Sequence, residues 1–288
     1  MSKKDVDQHT GTETTGHEWD GIKELNTPLP RWWLGIFYAC IVWAVGYWVL
    51  MPAWPLVHGY THGLLNHSQR DAVTAAVQQL KDARAAKEHE LDHATLEQIQ
   101  ANPDLLQFAL AEGKAAFGDN CAPCHGSGAQ GGHGYPNLND DVWLWGGKLE
   151  DIQHTITVGV RSTAPDTRQS QMPSFGRDNI LKPEQIDDLT EYVVHLSGRA
   201  ADAKAVARAT KLFADNCAAC HGPAGKGNRQ FGAPNLTDNE WLYGPTREDI
   251  HDQIWYGRGG VMPTWGGRLS PETIKSLAVY VHSLGGGE

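Results

Sequence analysis

The chain has 288 residues and carries 34 aspartates and glutamates against 24 lysines and arginines, a formal net charge of −10. This length suffices for two domains of ordinary size and a membrane anchor. The acidic balance argues against nucleic acid as a partner, and the sequence has no basic cluster. Residues 104–200 hold 13 acidic and 7 basic side chains, whereas residues 201–288 hold 9 of each. A basic partner would therefore be steered toward the earlier segment.

The first predicted element is an uncharged stretch of 20 residues, WWLGIFYACIVWAVGYWVLM, at positions 32–51. A helix of that length crosses the hydrocarbon core of a bilayer. Tryptophans lie near both ends, as is typical of the interface with lipid headgroups. A buried core helix and a signal peptide are the alternatives, but a polar head of 31 residues and the lack of a small-residue cleavage site disfavour the signal peptide. We predict a transmembrane helix over residues 32–52.

The flanking charges predict the orientation of this helix. Lys3, Lys4, Lys23 and Arg31 precede it, whereas residues 52–69 contain no lysine or arginine. By the positive-inside rule, residues 1–31 form a cytoplasmic N-terminal segment and everything after residue 52 lies outside.

Residues 53–103 are predicted to form a helical spacer or arm. The stretch from 67 to 100 contains neither glycine nor proline and is rich in alanine, glutamine, leucine, glutamate and lysine. Such a composition favours a helix that is exposed on one side.

From about residue 105 the sequence repeats once. FGDNCAPCHG at 117–126 returns as FADNCAACHG at 213–222, and QMPSFG at 171–176 is matched by VMPTWG at 261–266. The first copy contains eight additional residues, around STAPDTRQ, which we expect to form a surface loop. The repeat predicts two similar, mainly helical domains at 104–198 and 206–288, joined by a linker at 199–205.

Aromatic residues stand at matching points of the two copies. Phe117 and Phe213 precede the first cysteine of each copy on an entering helix, and Tyr192 and Tyr280 lie on the closing helix. We expect the two helices of each domain to be clamped by an aromatic contact.

Four of the five cysteines occur in two Cys-x-x-Cys-His motifs. The motif residues are Cys121, Cys124 and His125 in the first copy and Cys217, Cys220 and His221 in the second. This spacing is that of covalent c-type haem attachment, since two cysteines on one turn reach the two vinyl groups and the next histidine points at the iron. A shared zinc ion, a thioredoxin-like pair or structural disulfides would not explain the repeated histidine. The sequence predicts two covalently bound c-type haems.

A six-coordinate haem iron needs a second axial ligand, and the methionines are the candidates. Met172 and Met262 are two of only four methionines, stand in equivalent loops and are each followed by proline. A thioether ligand raises the reduction potential relative to a second imidazole. The histidines that match between the copies are each one position out of register: His154 with His251, and His195 with His282. We predict Met172 and Met262 to be the axial ligands opposite His125 and His221.

These motifs resemble known cytochromes. A Cys-x-x-Cys-His followed by Met-Pro, between an entering helix with Gly113 and Phe117 and a closing helix with Tyr192, resembles class I cytochrome c; the second copy departs from it by having Ala209 in place of Gly113. HEWDGIKELNTPLPRWW, one membrane span, HSQR and two such domains resemble the membrane-bound dihaem subunit III of cbb3-type cytochrome c oxidase. The expected fold class is mainly α, with one N-terminal transmembrane helix followed by two class I cytochrome c domains.

The resemblance implies an electron-transfer subunit with no active site of its own. Such a subunit accepts electrons from a soluble or membrane c-type cytochrome and passes them, through a monohaem cytochrome c subunit, to the catalytic haem-copper subunit that reduces oxygen. The resemblance also implies a single-pass protein of the bacterial inner membrane with periplasmic haem domains. The alternatives are a membrane-tethered dihaem carrier or the cytochrome subunit of a periplasmic dehydrogenase. A dihaem peroxidase would need an open iron site, which two matched Met-Pro loops argue against.

The sequence leaves the pairing of methionines and irons open. In a single-domain cytochrome c the methionine ligates its own iron, which would pair Met172 with His125 and Met262 with His221. The resemblance to subunit III implies the crossed assignment, in which each domain lends its methionine to the other haem. Two equivalent domains across a pseudo-two-fold axis permit either pairing.

Overall fold

The computed structural model describes residues 5–288 and divides into two compact units, one ending at Asp82 and the other spanning Ala83–Glu288. Lys3 and Lys4, which contributed to the predicted orientation, lie outside the described residues.

The first unit contains a hairpin that the sequence analysis did not predict. Strands β1 (Thr14–Trp19) and β2 (Ile22–Leu25) pair antiparallel. Asp20 and Gly21 join them with positive φ angles of 48° and 83°. Two positive φ angles characterise the type I′ turn, whose twist matches that of a two-stranded ribbon.

Helix α1 spans Arg31–Leu50, starting one residue before and ending two residues before the predicted span of 32–52. Its residues are exposed or half-buried within the unit, and it is the one helix among residues 5–288 that is long and apolar enough to cross a bilayer. Two short strands, β3 (Pro55–Leu56) and β4 (Gly59–Tyr60), follow it. The chain then folds back so that the amides of Leu64 and Leu65 donate to the carbonyls of Val49 and Leu50, which satisfies two terminal acceptors of the helix.

The arm contains helices α2 (Gln69–His93) and α3 (Leu96–Ala101). Its C-terminal part belongs to the second unit, where Leu91, Leu96 and Ile99 are buried in one cluster with Leu105. The Lys275 ammonium donates to the carbonyls of Leu91 at 3.2 Å and of Ala94 at 2.9 Å, and also to that of Asp92. A cation at the end of a helix satisfies its last carbonyls and complements its dipole.

The second unit contains the two copies of the repeat, which form the same helices. The first copy forms α4 (Pro103–Asn120), α5 (Ala122–His125), α6 (Leu149–Val158) and α7 (Pro183–Leu196). The second copy forms α8 (Ala203–Asn216), α9 (Ala218–His221), α10 (Arg247–Tyr256) and α11 (Pro271–His282). Proline begins both closing helices, where its missing N–H costs no hydrogen bond.

The closing helices are exchanged between the copies. Helix α11 packs against α4, and α7 packs against α8. The aromatic contacts follow this exchange: the ring of Phe117 lies 5.5 Å from that of Tyr280, and the ring of Tyr192 lies 4.9 Å from that of Phe213. The predicted clamp therefore exists, but the expectation that it lies within one copy was wrong.

We call residues 103–158 with 262–288 lobe 1, and residues 172–256 lobe 2. Their cores are separate: lobe 1 buries Phe117, Ile152 and Leu277 together, and lobe 2 buries Phe213 and Leu189 together. The packing thus groups the helices differently from their order along the chain at 104–198 and 206–288.

Gly113 marks the crossing of α4 and α11. A Cβ added there would collide with the backbone carbonyl of Ser276 and with the Cβ of Tyr280. Ala209 holds the equivalent place in α8 and is fully buried, so the approach of α7 leaves room for a methyl group. The departure from glycine in the second copy is explained by this spacing.

The two lobes meet through reciprocal contacts. A side chain at Gly232 would collide with Trp145, and a side chain at Gly134 would meet the ring of Tyr243. Gly134 and Gly232 are equivalent in the repeat, as are Trp145 and Tyr243. Reciprocity of this kind defines an isologous, pseudo-two-fold interface.

Candidate functional site

Each Cys-x-x-Cys-His motif lies where a long helix changes direction. In lobe 1, α4 ends at Asn120 and the one-turn helix α5 follows. The amide of Cys121 still donates to the carbonyl of Phe117 at 2.8 Å, which fixes the first cysteine at the end of the long helix. Helices α8 and α9 repeat this arrangement around Cys217.

A backbone carbonyl orients each motif histidine. The Nδ1 atom of His125 lies 3.0 Å from the carbonyl oxygen of Pro136, and that of His221 lies 3.0 Å from the carbonyl of Pro234. Since a carbonyl only accepts, Nδ1 carries the proton and Nε2 keeps its lone pair. Burial lowers the pKa of both imidazoles, which favours the neutral form that binds a metal.

The Met172 loop is attached to helix α10 of the other copy. Three donors of the loop bind the last carbonyls of α10: the Phe175 amide to Ile254 at 3.2 Å, the Gly176 amide to Trp255 at 3.2 Å, and the Ser174 hydroxyl to Tyr256 at 2.7 Å. These bonds satisfy carbonyls that a helix end leaves free.

The Met262 loop is attached to helix α6 in the same way. The donors are the Trp265 amide to the Ile156 carbonyl at 3.2 Å, the Gly266 amide to Thr157 at 2.9 Å, and the Thr264 hydroxyl to Thr157 at 2.7 Å. Met262 and Val160 also exchange both backbone hydrogen bonds at 3.0 Å. Each methionine loop therefore caps a helix of the opposite copy.

As a result, each methionine lies beside the motif of the other copy. Met172 packs against the core cluster that includes Phe213, and Cys217 and Ala218 pack against the same cluster. Met262 packs against the core cluster that includes Phe117, and Cys121 packs against the same cluster. The structure thus brings Met172 to the second motif and Met262 to the first.

The cavity of lobe 2 has the lining that a haem requires. Met172, Cys217, Cys220 and His221 line it, together with Trp145 of the first copy. Most of the remaining lining is apolar, contributed by residues such as Leu189, Val193, Phe213, Ile250, Ile254 and Trp241. Two thiols, a neutral imidazole and a thioether around an apolar cavity are the donor set of a covalently bound haem.

The first cysteine of each motif is partly buried and the second is exposed. Burial raises the pKa of Cys121 and of Cys217 to about 11. Before haem attachment, both thiols are therefore protonated near neutral pH.

The matching histidines that are out of register do not enter these sites. His154 and His195 are exposed. His251 stacks on Trp255 with 5.7 Å between ring centroids, and Nε2 of His282 lies 3.1 Å from the carbonyl of Glu288.

One residue of the second site was missed by the sequence analysis. The Nε2 atom of Gln253 lies 3.7 Å from the sulfur of Met172. The sequence did hold a sign of its special role: the two copies differ here, since the first copy has Thr155 at the equivalent position.

A membrane helix followed by two lobes, each with a Cys-x-x-Cys-His turn, an oriented histidine and a facing methionine, defines a membrane-anchored dihaem c-type cytochrome. The sequence matches the family model for the N-terminal domain of FixP of cytochrome oxidase cbb3 over residues 11–58 and that for cytochrome c over residues 110–197. Residues 204–281 match the model for subunit III of cbb3-type cytochrome c oxidase.

Curated relatives agree over the whole length. The FixP subunit of the cbb3-type oxidase of Azorhizobium caulinodans is 56% identical over 284 residues, which cover 98% of this chain and 96% of the relative. FixP of Bradyrhizobium diazoefficiens is 53% identical, covering 99% and 98%. The CcoP subunit of Cereibacter sphaeroides is 51% identical, covering 100% of both. The chain belongs to the FixP/CcoP family of cbb3-type cytochrome c oxidase subunits.

Membership of this family confirms the predicted class and cofactor. The chain is an electron-transfer subunit of a cbb3 oxidase, is anchored to a membrane and carries two covalently bound c-type haems. When bound, each haem supplies the one-electron Fe(III)/Fe(II) couple, and the protein supplies ligands, burial and docking surface.

Proposed function

We propose that His125 and Met262 ligate the iron of the haem held by Cys121 and Cys124, and that His221 and Met172 ligate the other. The observation that carries this proposal is the attachment of each methionine loop to the end of a helix in the opposite copy. Own-domain ligation would require six such hydrogen bonds to break.

A single-haem background tests the pairing. With Cys217 and Cys220 both replaced by serine in the full chain, one covalent haem remains. Met262→His should then abolish the long-wavelength charge-transfer band of methionine-ligated ferric haem and lower the reduction potential, because imidazole replaces the thioether. Met172→His is the matched control and should leave both unchanged. If Met172→His alters the spectrum and Met262→His does not, ligation is within each copy.

We further propose that the chain receives electrons from a basic c-type cytochrome at lobe 1 and passes them, through a monohaem cytochrome c subunit, to the catalytic haem-copper subunit. Lobe 1 carries nine acidic against four basic side chains, and lobe 2 carries twelve against nine. An acidic surface raises the association rate of a basic partner. The names of the relatives, which are subunits of an oxidase, support the onward route.

The exposure of the acidic side chains on lobe 1 shows which of them are available to bind a basic cytochrome. Of the acidic residues at 140, 141, 150 and 151, Asp141 and Glu150 are exposed. Asp140 is half-buried, and burial raises its pKa. The carboxylate of Asp151 lies 3.7 Å from the Arg168 guanidinium, which offsets its charge. Asp141 and Glu150 therefore present the most available negative charge of this group.

Charge reversal tests this surface in the intact oxidase. Asp141→Lys with Glu150→Lys should slow reduction by a basic c-type cytochrome and flatten the dependence of the rate on ionic strength. The matched control is the same reversal at two exposed residues of lobe 2, Glu184 and Asp187. An unchanged rate and salt dependence in the lobe 1 variant would show that the donor docks elsewhere. Co-purification from the native membrane identifies the neighbouring subunits.

We also propose a cytoplasmic N-terminus and periplasmic lobes, in the bacterial inner membrane. The support is the charge asymmetry about α1, with Lys23 before the helix, Arg31 at its first position and no lysine or arginine in residues 52–69. Protease added to intact spheroplasts should cut the lobes and spare a tag placed before residue 31. Cleavage of the tag with protection of the lobes would reverse the orientation.

A further inference from the structure

The two haem sites are built from matching residues but differ at one position beside the axial methionine. The stretches that begin with Glu-Asp-Ile at 150–152 and at 248–250 run in register, without a gap, as far as the glycine that ends each helix. Three residues after the isoleucine, the first copy has Thr155 and the second has Gln253. Both positions lie on a helix that a methionine loop caps.

The orientation of the Gln253 amide follows from its neighbours. Its Nε2 lies 2.9 Å from the carbonyl oxygen of Arg258 and 3.7 Å from the sulfur of Met172. A carbonyl only accepts hydrogen bonds, so the nitrogen and not the oxygen of the amide must face Arg258. The NH2 group has two hydrogens, and the second is directed to the sulfur.

Packing alone does not explain a glutamine at this place. The Oε1 atom of Gln253 is buried and has no hydrogen-bond partner within residues 5–288. A buried acceptor without a partner destabilises the fold, and an apolar side chain of similar size would avoid that cost. The favourable interactions of Gln253 that offset this cost must therefore be made by its N–H groups.

Thr155, the counterpart of Gln253 in lobe 1, does not donate a hydrogen bond to a methionine sulfur. The Thr155 hydroxyl donates to the carbonyl of Asp151 at 2.7 Å and accepts from Nε of Arg168 at 2.8 Å. Arg168 belongs to the insertion at 162–169 that the second copy lacks. In the part of the chain that is described, no side-chain donor reaches the sulfur of Met262. The insertion, expected to form a surface loop, thus supplies a donor that engages the Thr155 hydroxyl oxygen.

We propose that Gln253 is a positioning residue that raises the reduction potential of the haem held by Cys217 and Cys220 through an N–H···S hydrogen bond to Met172. This inference rests on the proposed ligation by Met172. A thioether sulfur has two lone pairs, so one faces the iron while the other accepts from the amide. The hydrogen bond withdraws electron density from the sulfur, which destabilises Fe(III) more than Fe(II). The twin site at Met262 lacks this contribution.

The test is a redox titration of the intact two-haem chain and of three variants. Gln253→Leu removes the amide, and Gln253→Thr installs the residue that the fold already accepts at the equivalent position. A neutral hydrogen bond of ordinary strength predicts that either change lowers the reduced-to-oxidised ratio of one haem about 2- to 12-fold at a fixed potential. Thr155→Val is the matched control and should leave both haem potentials unchanged.

The methionine charge-transfer band separates this inference from the proposed ligation. Retention of both methionine bands with a lower potential at one haem supports the inference. Retained bands with unchanged potentials in both Gln253 variants overturn it, even if Met172 is the ligand. If the single-haem experiment shows Met172 on the iron of His125, the proposed ligation fails and the inference fails with it. A potential shift in Thr155→Val equal to that in Gln253→Thr would also overturn it.

Discussion

Replacing Leu277 by alanine should loosen lobe 1, although this residue lies in the last helix of the chain. Leu277 is fully buried on α11, in one core cluster with Phe117 and Ile152 of the first copy. Leu189, at the equivalent position of α7, is 1% exposed and lies in the cluster of Phe213. The two leucines therefore form a matched pair whose effects should fall on opposite copies.

The magnitude follows from the loss of buried carbon. A leucine-to-alanine change in a core costs about 2–5 kcal/mol, because the transfer free energy of the removed atoms is lost and a cavity remains. At a tenfold change for about 1.4 kcal/mol, this corresponds to local opening that is roughly 30- to 4000-fold more frequent. Both sites lie in the dense part of their lobes, so both variants should fall within this range.

Amide hydrogen exchange read by mass spectrometry resolves where the opening occurs. In Leu277→Ala, exchange should accelerate in peptides from α4, residues 103–120, and much less in peptides from α8, residues 203–216. Leu189→Ala should give the reverse pattern. The full chain with both haems attached is the sample, since each lobe takes residues from both copies.

Two outcomes would refute the reasoning. If Leu277→Ala accelerates exchange in α8 and spares α4, the closing helices pack within their own copies. Equal acceleration in both helices would mean that the lobes open as one cooperative unit, contrary to their separate cores.

Three other changes have defined outcomes. Gly113→Ala should lower the stability of lobe 1 by up to about 2 kcal/mol in thermal unfolding, because overpacking of about 1–3 kcal/mol exceeds a helix-propensity gain of about 1. Lys275→Met should increase local opening of residues 83–101 by roughly 10- to 100-fold in hydrogen exchange, because charge-assisted bonds to the end of α2 are lost. The hydrogen bond from Arg247 lowers the pKa of Glu191 below its ordinary value of 4.5, so the pair contributes stability above pH 4.5 that is lost as the pH falls through the lowered pKa. Glu191→Gln should therefore cost about 1 kcal/mol or less at pH 7 and progressively less as the pH falls below 4.5, measured by denaturant unfolding.

Each of these changes has a control. Gly118 lies on α4 with open space around it, so Gly118→Ala should stabilise the helix by about 1 kcal/mol; a destabilisation equal to that of Gly113→Ala would contradict the packing explanation. Lys114→Met removes a cation from the same lobe and should leave the arm protected. A cost of Glu191→Gln that persists undiminished at low pH would contradict the role of its ionised form.

Most of the helices could be predicted from the sequence because their sequence signals act over a few residues and are strong. Proline at the start of the closing helices and the uncharged run at 32–51 are consequences of backbone and solvation chemistry that act within a few residues. The hairpin at Thr14–Leu25 was missed because its strands are exposed and show no apolar alternation, although Asp20 and Gly21 form a recognised turn signal.

The exchange of the closing helices could not be predicted from short sequence patterns, for a different reason. Phe117 and Phe213 are equivalent, and so are Tyr192 and Tyr280, so contacts within a copy and between copies have the same chemistry. A sequence pattern cannot distinguish two arrangements whose contacting residues are identical. The choice is made by long-range geometry, including the capping of α6 and α10 by loops that come from the opposite copy.

The exchanged arrangement imposes an order on assembly. In the second site, Met172 precedes His221 in the chain, so the proposed sixth ligand is made before the histidine. His125 precedes Met262 by 137 residues, and at about 5–20 residues per second the ribosome needs roughly 7 to 30 s to make that stretch. With the proposed pairing, the site of Cys121 and Cys124 therefore cannot gain its sixth ligand until almost the whole chain has been made.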